Sequence, residues 1–161
     1  GLEGKVDIYL PDLKYLDPET AGRYSAASDY PQAAQAAIRE MVRQTGPCAF
    51  DGDGLLTRRV VIRHLILPGQ VSQAKAVMDW VAAEFGPGTV LFSLMSQYTP
   101  WGRSAEFPEI HRRLRAGEMR AAAEYMANLG LEGFTQERTS AQREYTPPFD
   151  LTGVAGEGGA L

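Results

Sequence analysis

The chain has 161 residues, 44% of them hydrophobic, with sixteen basic and twenty acidic side chains and a formal charge of −4. That length and apolar content suit one globular domain with a real core, and the mild acidity gives no field to draw in nucleic acid or anionic lipid. A single cysteine, Cys48, excludes an intrachain disulfide and favours a reducing cytosol; no apolar run is long enough for a membrane span, and the N-terminus lacks a signal-peptide layout.

In chain order, the first strand is expected over 5–13, in the run Val6-Asp7-Ile8-Tyr9-Leu10-Pro11-Asp12-Leu13-Lys14. Asp17-Pro18-Glu19-Thr20 then reads as an N-cap with Pro at the first helical position, opening a short helix that Ser28-Asp29-Tyr30-Pro31 ends. Pro31 begins a longer helix with Ala34, Ala37, Ile38, Met41 and Val42 at helical spacing, closed by Gly46. Residues 46–54 read as a turn-rich loop. The second strand, over 58–67, is Val60-Val61-Ile62-Arg63-His64-Leu65-Ile66-Leu67 and runs into Pro68-Gly69.

Ser72 is the expected cap of a helix whose stripe is Ala74, Val77, Met78, Val81, Ala82 and Phe85, stopped by Gly86. The third strand, over 88–97, is Val90-Leu91-Phe92-Ser93-Leu94-Met95-Ser96-Gln97. A long connection leads to a last helix from Gly117 to Leu129, with Met119, Ala122, Ala123, Met126 and Leu129 on one face, and a short fourth strand is expected over 133–136. Residues 1–152 form the expected domain; the glycine-rich stretch 153–161 reads as a mobile tail.

Strands alternating with helices at this spacing imply a parallel sheet. Buried parallel strands are β-branched and apolar, and barrels of such strands carry their chemistry at the C-terminal ends. Period two puts Val6, Ile8, Leu10, Asp12 and Lys14 on one face of the first strand, Val61, Arg63, Leu65 and Leu67 on one face of the second, and Ser93, Met95 and Gln97 on one face of the third. If those faces converge, Asp12, Lys14, Arg63 and Gln97 share a pocket, and two cations with an acid and an amide suit a zwitterionic or carboxylate-bearing small ligand.

Each of these residues also has a plainer role open to it. Asp12 can cap a turn, and Lys14 can be a rim lysine or a Schiff-base lysine. Arg63 in an apolar strand needs partners whether structural or functional. By alternation His64 faces the other way and reads as a packing histidine; Cys48 reads as an ordinary thiol, and the basic run His111-Arg112-Arg113-Leu114-Arg115 as a solvated face.

Three runs carry a family resemblance: Asp7-Ile8-Tyr9-Leu10-Pro11-Asp12-Leu13-Lys14-Tyr15, Ile62-Arg63-His64-Leu65-Ile66-Leu67-Pro68-Gly69, and Leu94-Met95-Ser96-Gln97-Tyr98. In this order they resemble the C-terminal half of radical SAM proteins related to the pyruvate formate-lyase activating enzyme, over roughly residues 6–150. The resemblance implies an α/β fold, the second half of a partial (β/α)6 barrel, in which a 4Fe-4S cluster and S-adenosylmethionine generate a 5′-deoxyadenosyl radical that acts on a protein, peptide or small substrate. It implies that Lys14, Arg63 and Gln97 face the cofactor, Gln97 standing where the family has a histidine, and that Asp12 is a candidate ligand of a monovalent cation.

The family's Cys-X-X-X-Cys-X-X-Cys loop cannot come from one cysteine, and its Gly-Gly-Glu-type motif is missing. The expectation is therefore a fragment that binds no iron and is inactive alone, with an open barrel edge that favours self-association. The competing expectation is a free-standing, non-catalytic α/β module that binds a ligand or partner.

Overall fold

The computed structural model describes residues 1–136; the expected tail at 153–161, and with it the boundary at 152, lies outside the described residues. Among these residues five strands and four α-helices follow in order: β1 (Ile8–Tyr9), α1 (Pro18–Ser25), α2 (Tyr30–Thr45), β2 (Ala49–Phe50), β3 (Leu56–Leu65), α3 (Val71–Glu84), β4 (Val90–Met95), α4 (Ala116–Asn128) and β5 (Gly133–Gln136), with a 3-10 turn at Gly102–Glu106 before α4. The strand order is β1-β3-β4-β5, every neighbouring pair parallel, with β2 joined antiparallel to β3. The fold is mixed α/β with a parallel sheet, as the alternation implies.

One face of the sheet makes the core. Val60, Ile62 and Ile66 of the β3 segment and Val90, Phe92 and Leu94 of β4 pack with Ile38 of α2, Ala74, Val77, Met78 and Val81 of α3, and Ala122 and Met126 of α4. All but Val90 and Met126 are fully buried. At about 1.5–3 kcal/mol per large apolar side chain removed from water, this layer is the main favourable term of folding. The alternate residues form the other face, and among the described residues the core helices α2, α3 and α4 pack on the first face.

The helices begin and end where local chemistry dictates. Asp17 caps α1, its carboxylate accepting from the amides of Glu19 and Thr20. Gly46 closes α2 at φ +70, a conformation that glycine adopts without strain. Two expected details fail. Ser72 lies inside α3, whose N-cap is Gln70, and neither makes a side-chain cap bond; Ala37 and Leu129, placed on buried stripes by spacing, are exposed.

The first strand is also shorter than 5–13. Its ladder covers Ile8 and Tyr9 and returns as one bridge between Asp12 and Arg63. Pro11 has no N–H to give, and the ladder breaks there. The register survives the break, because Ile8 pairs with Arg59, Tyr9 with Val60 and Asp12 with Arg63 at one constant offset. The turn-rich stretch 46–54 is a small hairpin rather than a plain loop. Asp51 accepts from the amides of Asp53 and Leu55, which turns the chain from β2 into β3.

Candidate functional site

The C-terminal ends of the strands gather the polar residues singled out above. Arg63 and Asp12 are register partners, and the Arg63 Nε donates to Asp12 Oδ1 at 2.8 Å. Both side chains stay 41% exposed. An ion pair this open contributes about 0–1 kcal/mol, too little for fold stability to account for an arginine in the middle of an apolar strand.

Two elements hold this pair in place. Arg63 stands in β3, the ten-residue strand paired on both sides in the sheet, its Cα in register with Ser93 of β4. Asp12 is held from behind: the Leu13 amide donates to the Arg63 carbonyl at 2.9 Å, and the Leu13 side chain is fully buried. The Lys14 amide is fixed by the Tyr30 hydroxyl at 3.0 Å. The Lys14 ammonium is exposed and makes no hydrogen bond or ion pair among the described residues.

Gln97 sits at the same end of the sheet but turns to β5, where its Nε2 donates to Gln136 Oε1 at 3.0 Å. The four residues thus share one end of the sheet without forming one cluster. Asp12 and Arg63 meet, Gln97 is tied to Gln136, and Lys14 stands free of side-chain partners. A carboxylate could meet the guanidinium and the free ammonium, and an ammonium could meet Asp12, so the set suits a zwitterion.

His64 behaves as alternation implies. It is 2% exposed, its Nδ1 lies 2.8 Å from the Leu13 carbonyl, and burial pushes its imidazole below the ordinary range. A carbonyl only accepts, so Nδ1 carries the proton. Cys48 is half-buried near the opposite end, its thiol donating to the Thr89 carbonyl at 3.5 Å.

The basic run is not simply solvated. Leu114 is buried, and Arg112 forms a two-pronged bond to Glu118 at 2.9 and 2.7 Å. Glu118 also accepts from the amides of Gly69 and Arg115, at 2.7 and 2.8 Å. The turn after β3 is thereby clamped to the start of α4, and the Arg112 hydrogen bond, with lesser help from those amides, holds the Glu118 carboxyl down at about 2. Sequence reasoning missed Glu118, although a glutamate three residues after a helix's entry is the acidic half of a capping box. Tyr30 was also missed, and no local pattern marks it.

Aromatic rings join α1, the start of α2 and the 98–115 connection to Tyr15. Tyr15 lies 5.9 Å from Tyr30 and 6.3 Å from Tyr24, and Tyr24 lies 5.2 Å from Phe107. Glu109 takes hydrogen bonds from Arg23 and Tyr24, tying the 98–115 connection to α1. A cavity of about 110 Å³ lined by Phe85, Val90 and Leu131 lies at the other end of β4, away from these residues.

No group of three or more metal-ligating side chains occurs among the described residues, and no helix among them is long and apolar enough to cross a membrane. No protein-family model matches the chain. Over 132 residues it is 26% identical to an uncharacterized protein of Methanocaldococcus jannaschii, a match that covers 81% of this chain. The chain spans about a third of that relative's length, 34%.

Proposed function

We propose that this chain is the cofactor- and substrate-facing portion of a radical SAM enzyme similar to the pyruvate formate-lyase activating enzyme, its sheet one half of a partial (β/α)6 barrel. The observation that carries this reading is the Asp12–Arg63 pair. It stands at the C-terminal end of parallel strands, on the face opposite the core helices, and is too exposed to be explained by stability.

The donor set fits the amino-acid end of S-adenosylmethionine. Arg63 and Lys14 would hold its carboxylate, Asp12 its ammonium, and Gln97 would face it across the rim. The set does not fit an iron–sulfur cluster, which needs several thiolates; Cys48 is the one cysteine of the sequence and lies near the Thr89 end of β4. When bound and reduced beside such a cluster, the cofactor supplies a carbon-centred radical. The residues of this chain bind and orient it: Tyr30 and Leu13 fix Asp12, β3 fixes Arg63, and the Glu118 clamp fixes the Pro68-Gly69 turn.

The encoding reading frame upstream of Gly1 tests the proposal. Three cysteines spaced Cys-X-X-X-Cys-X-X-Cys are expected there. A start codon just before Leu2 would overturn it and leave a free-standing binding module.

A further inference from the structure

Buried polar side chains fare differently on the two faces of the sheet. On the helix-covered face His64 bonds to the Leu13 carbonyl and Ser96 Oγ donates to the Gln136 carbonyl at 3.0 Å. On the other face Arg59 Nε, Ser93 Oγ and Gln97 Oε1 are buried with no hydrogen-bond partner among the described residues. Two of these residues are otherwise engaged. The Arg59 guanidinium lies 5.8 Å from the Phe50 ring centroid, and the Gln97 amide nitrogen bonds to Gln136. Ser93 has neither relief. It is 1% exposed, with Arg63 and Phe134 beside it in register and Leu91 and Met95 at the next positions along β4.

An unbonded buried hydroxyl costs stability that an alanine there would not. Local rules broken in this way mark functional positions. The chemistry around Ser93 narrows what it meets. Its neighbours along β4, Leu91 and Met95, and its register partner on β5, Phe134, carry no charge, so this side of the row favours a neutral group. Phe134 is 44% exposed and supplies an apolar wall.

We propose that Ser93 and Phe134 form a ligand subsite on the β4–β5 side of the face opposite the core helices, which takes a neutral amide or hydroxyl group carried beside an apolar ring or chain. The serine hydroxyl both donates and accepts, so either group satisfies it. Met95, two residues along β4, is half-buried and unbranched, so its side chain is free to change rotamer when the ligand enters. The subsite serves a second ligand, and its existence does not depend on S-adenosylmethionine being the first.

Isotope-labelled protein titrated with benzamide, benzyl alcohol, benzoate and toluene tests this by NMR. Benzamide and benzyl alcohol should give saturable shifts at Ser93 and Phe134. Ser93→Ala and the isosteric Ser93→Cys should weaken benzamide by about fivefold or more while leaving Tm unchanged or raised. The proposal is overturned if benzamide gives no saturable shift there, if toluene binds as well, or if the substitutions leave affinity untouched; benzoate shifts that persist in Ser93→Ala report the Arg63 end of the row instead. A marked fall in Tm for Ser93→Ala would also overturn it, since the hydroxyl would then serve the fold.

Discussion

The Tyr30 hydroxyl bridges the Asp12–Lys14 segment from behind, donating to the Asp12 carbonyl at 2.7 Å and accepting from the Lys14 amide at 3.0 Å. A residue at the first turn of α2 thus sets the backbone of a motif near the end of the first strand. Burial pushes the Tyr30 phenol up, so it stays a donor at neutral pH.

Tyr30→Phe removes both bonds and keeps the ring against Tyr15. The expected cost is about 1 kcal/mol, measured by urea unfolding. Amide exchange at Lys14 should quicken while Leu13, bonded to the Arg63 carbonyl, stays protected. Equal loss of protection at both would show that Tyr30 supports the whole strand instead.

Glu118 gives the clamp a pH signature. Its carboxyl is held at about 2 against an ordinary 4.5, so its stabilisation is complete above pH 4.5 and is lost as pH falls toward 2. At about 1.4 kcal/mol per unit the full effect is about 3 kcal/mol. Urea midpoints at pH 6 and pH 3 should therefore converge between the wild type and Glu118→Gln, the variant being weaker at pH 6.

His64 contributes a second limb, higher in pH. Burial lowers its folded value below 6.5, so the unfolded chain binds the proton first and stability falls as pH drops below 6.5. The slope is at most about 1.4 kcal/mol per pH unit. His64→Gln can keep a donor to the Leu13 carbonyl and should lack this limb; an unchanged slope would place the titration elsewhere.

Gly133 fixes the docking of β5. Its φ is +155, and a Cβ there would lie 1.9 Å from the Phe92 carbonyl oxygen. Gly133→Ala should release β5 from β4, seen as loss of amide protection at Thr135, while the pairing of β3 with β4 persists.

These contacts divide by how local their causes are. The apolar runs of β3 and β4, the stripe of α3 and the Asp17 cap are written in consecutive residues, so spacing alone reads them. The shared face of Asp12 and Arg63 was also legible, because period two survives Pro11 and the register offset is constant. The break in β1 and the β2 hairpin depend on single residues, Pro11 and Asp51, whose effect appears only once a partner strand is in place. The Tyr30 bonds to the Asp12–Lys14 backbone and the Glu118 bond to the Gly69 amide are long-range relationships, and no window of sequence contains both ends of them. Gln97 was placed at the correct end of the sheet, but its bond to Gln136 depends on where β5 docks.

The proposed role of Asp12 and Arg63 is to orient S-adenosylmethionine for radical formation. The most direct measurement is release of 5′-deoxyadenosine by the anaerobically reduced, iron-loaded product of the whole reading frame, compared with Asp12→Asn and Arg63→Met. The account predicts nucleoside release by the wild type and a loss of about tenfold or more in each variant, at unchanged iron content and with Tm little altered because the pair is exposed. The 161-residue chain alone, with Cys48 as its one thiol, should release none. No release by the iron-loaded wild type, or equal release by the variants, would contradict it.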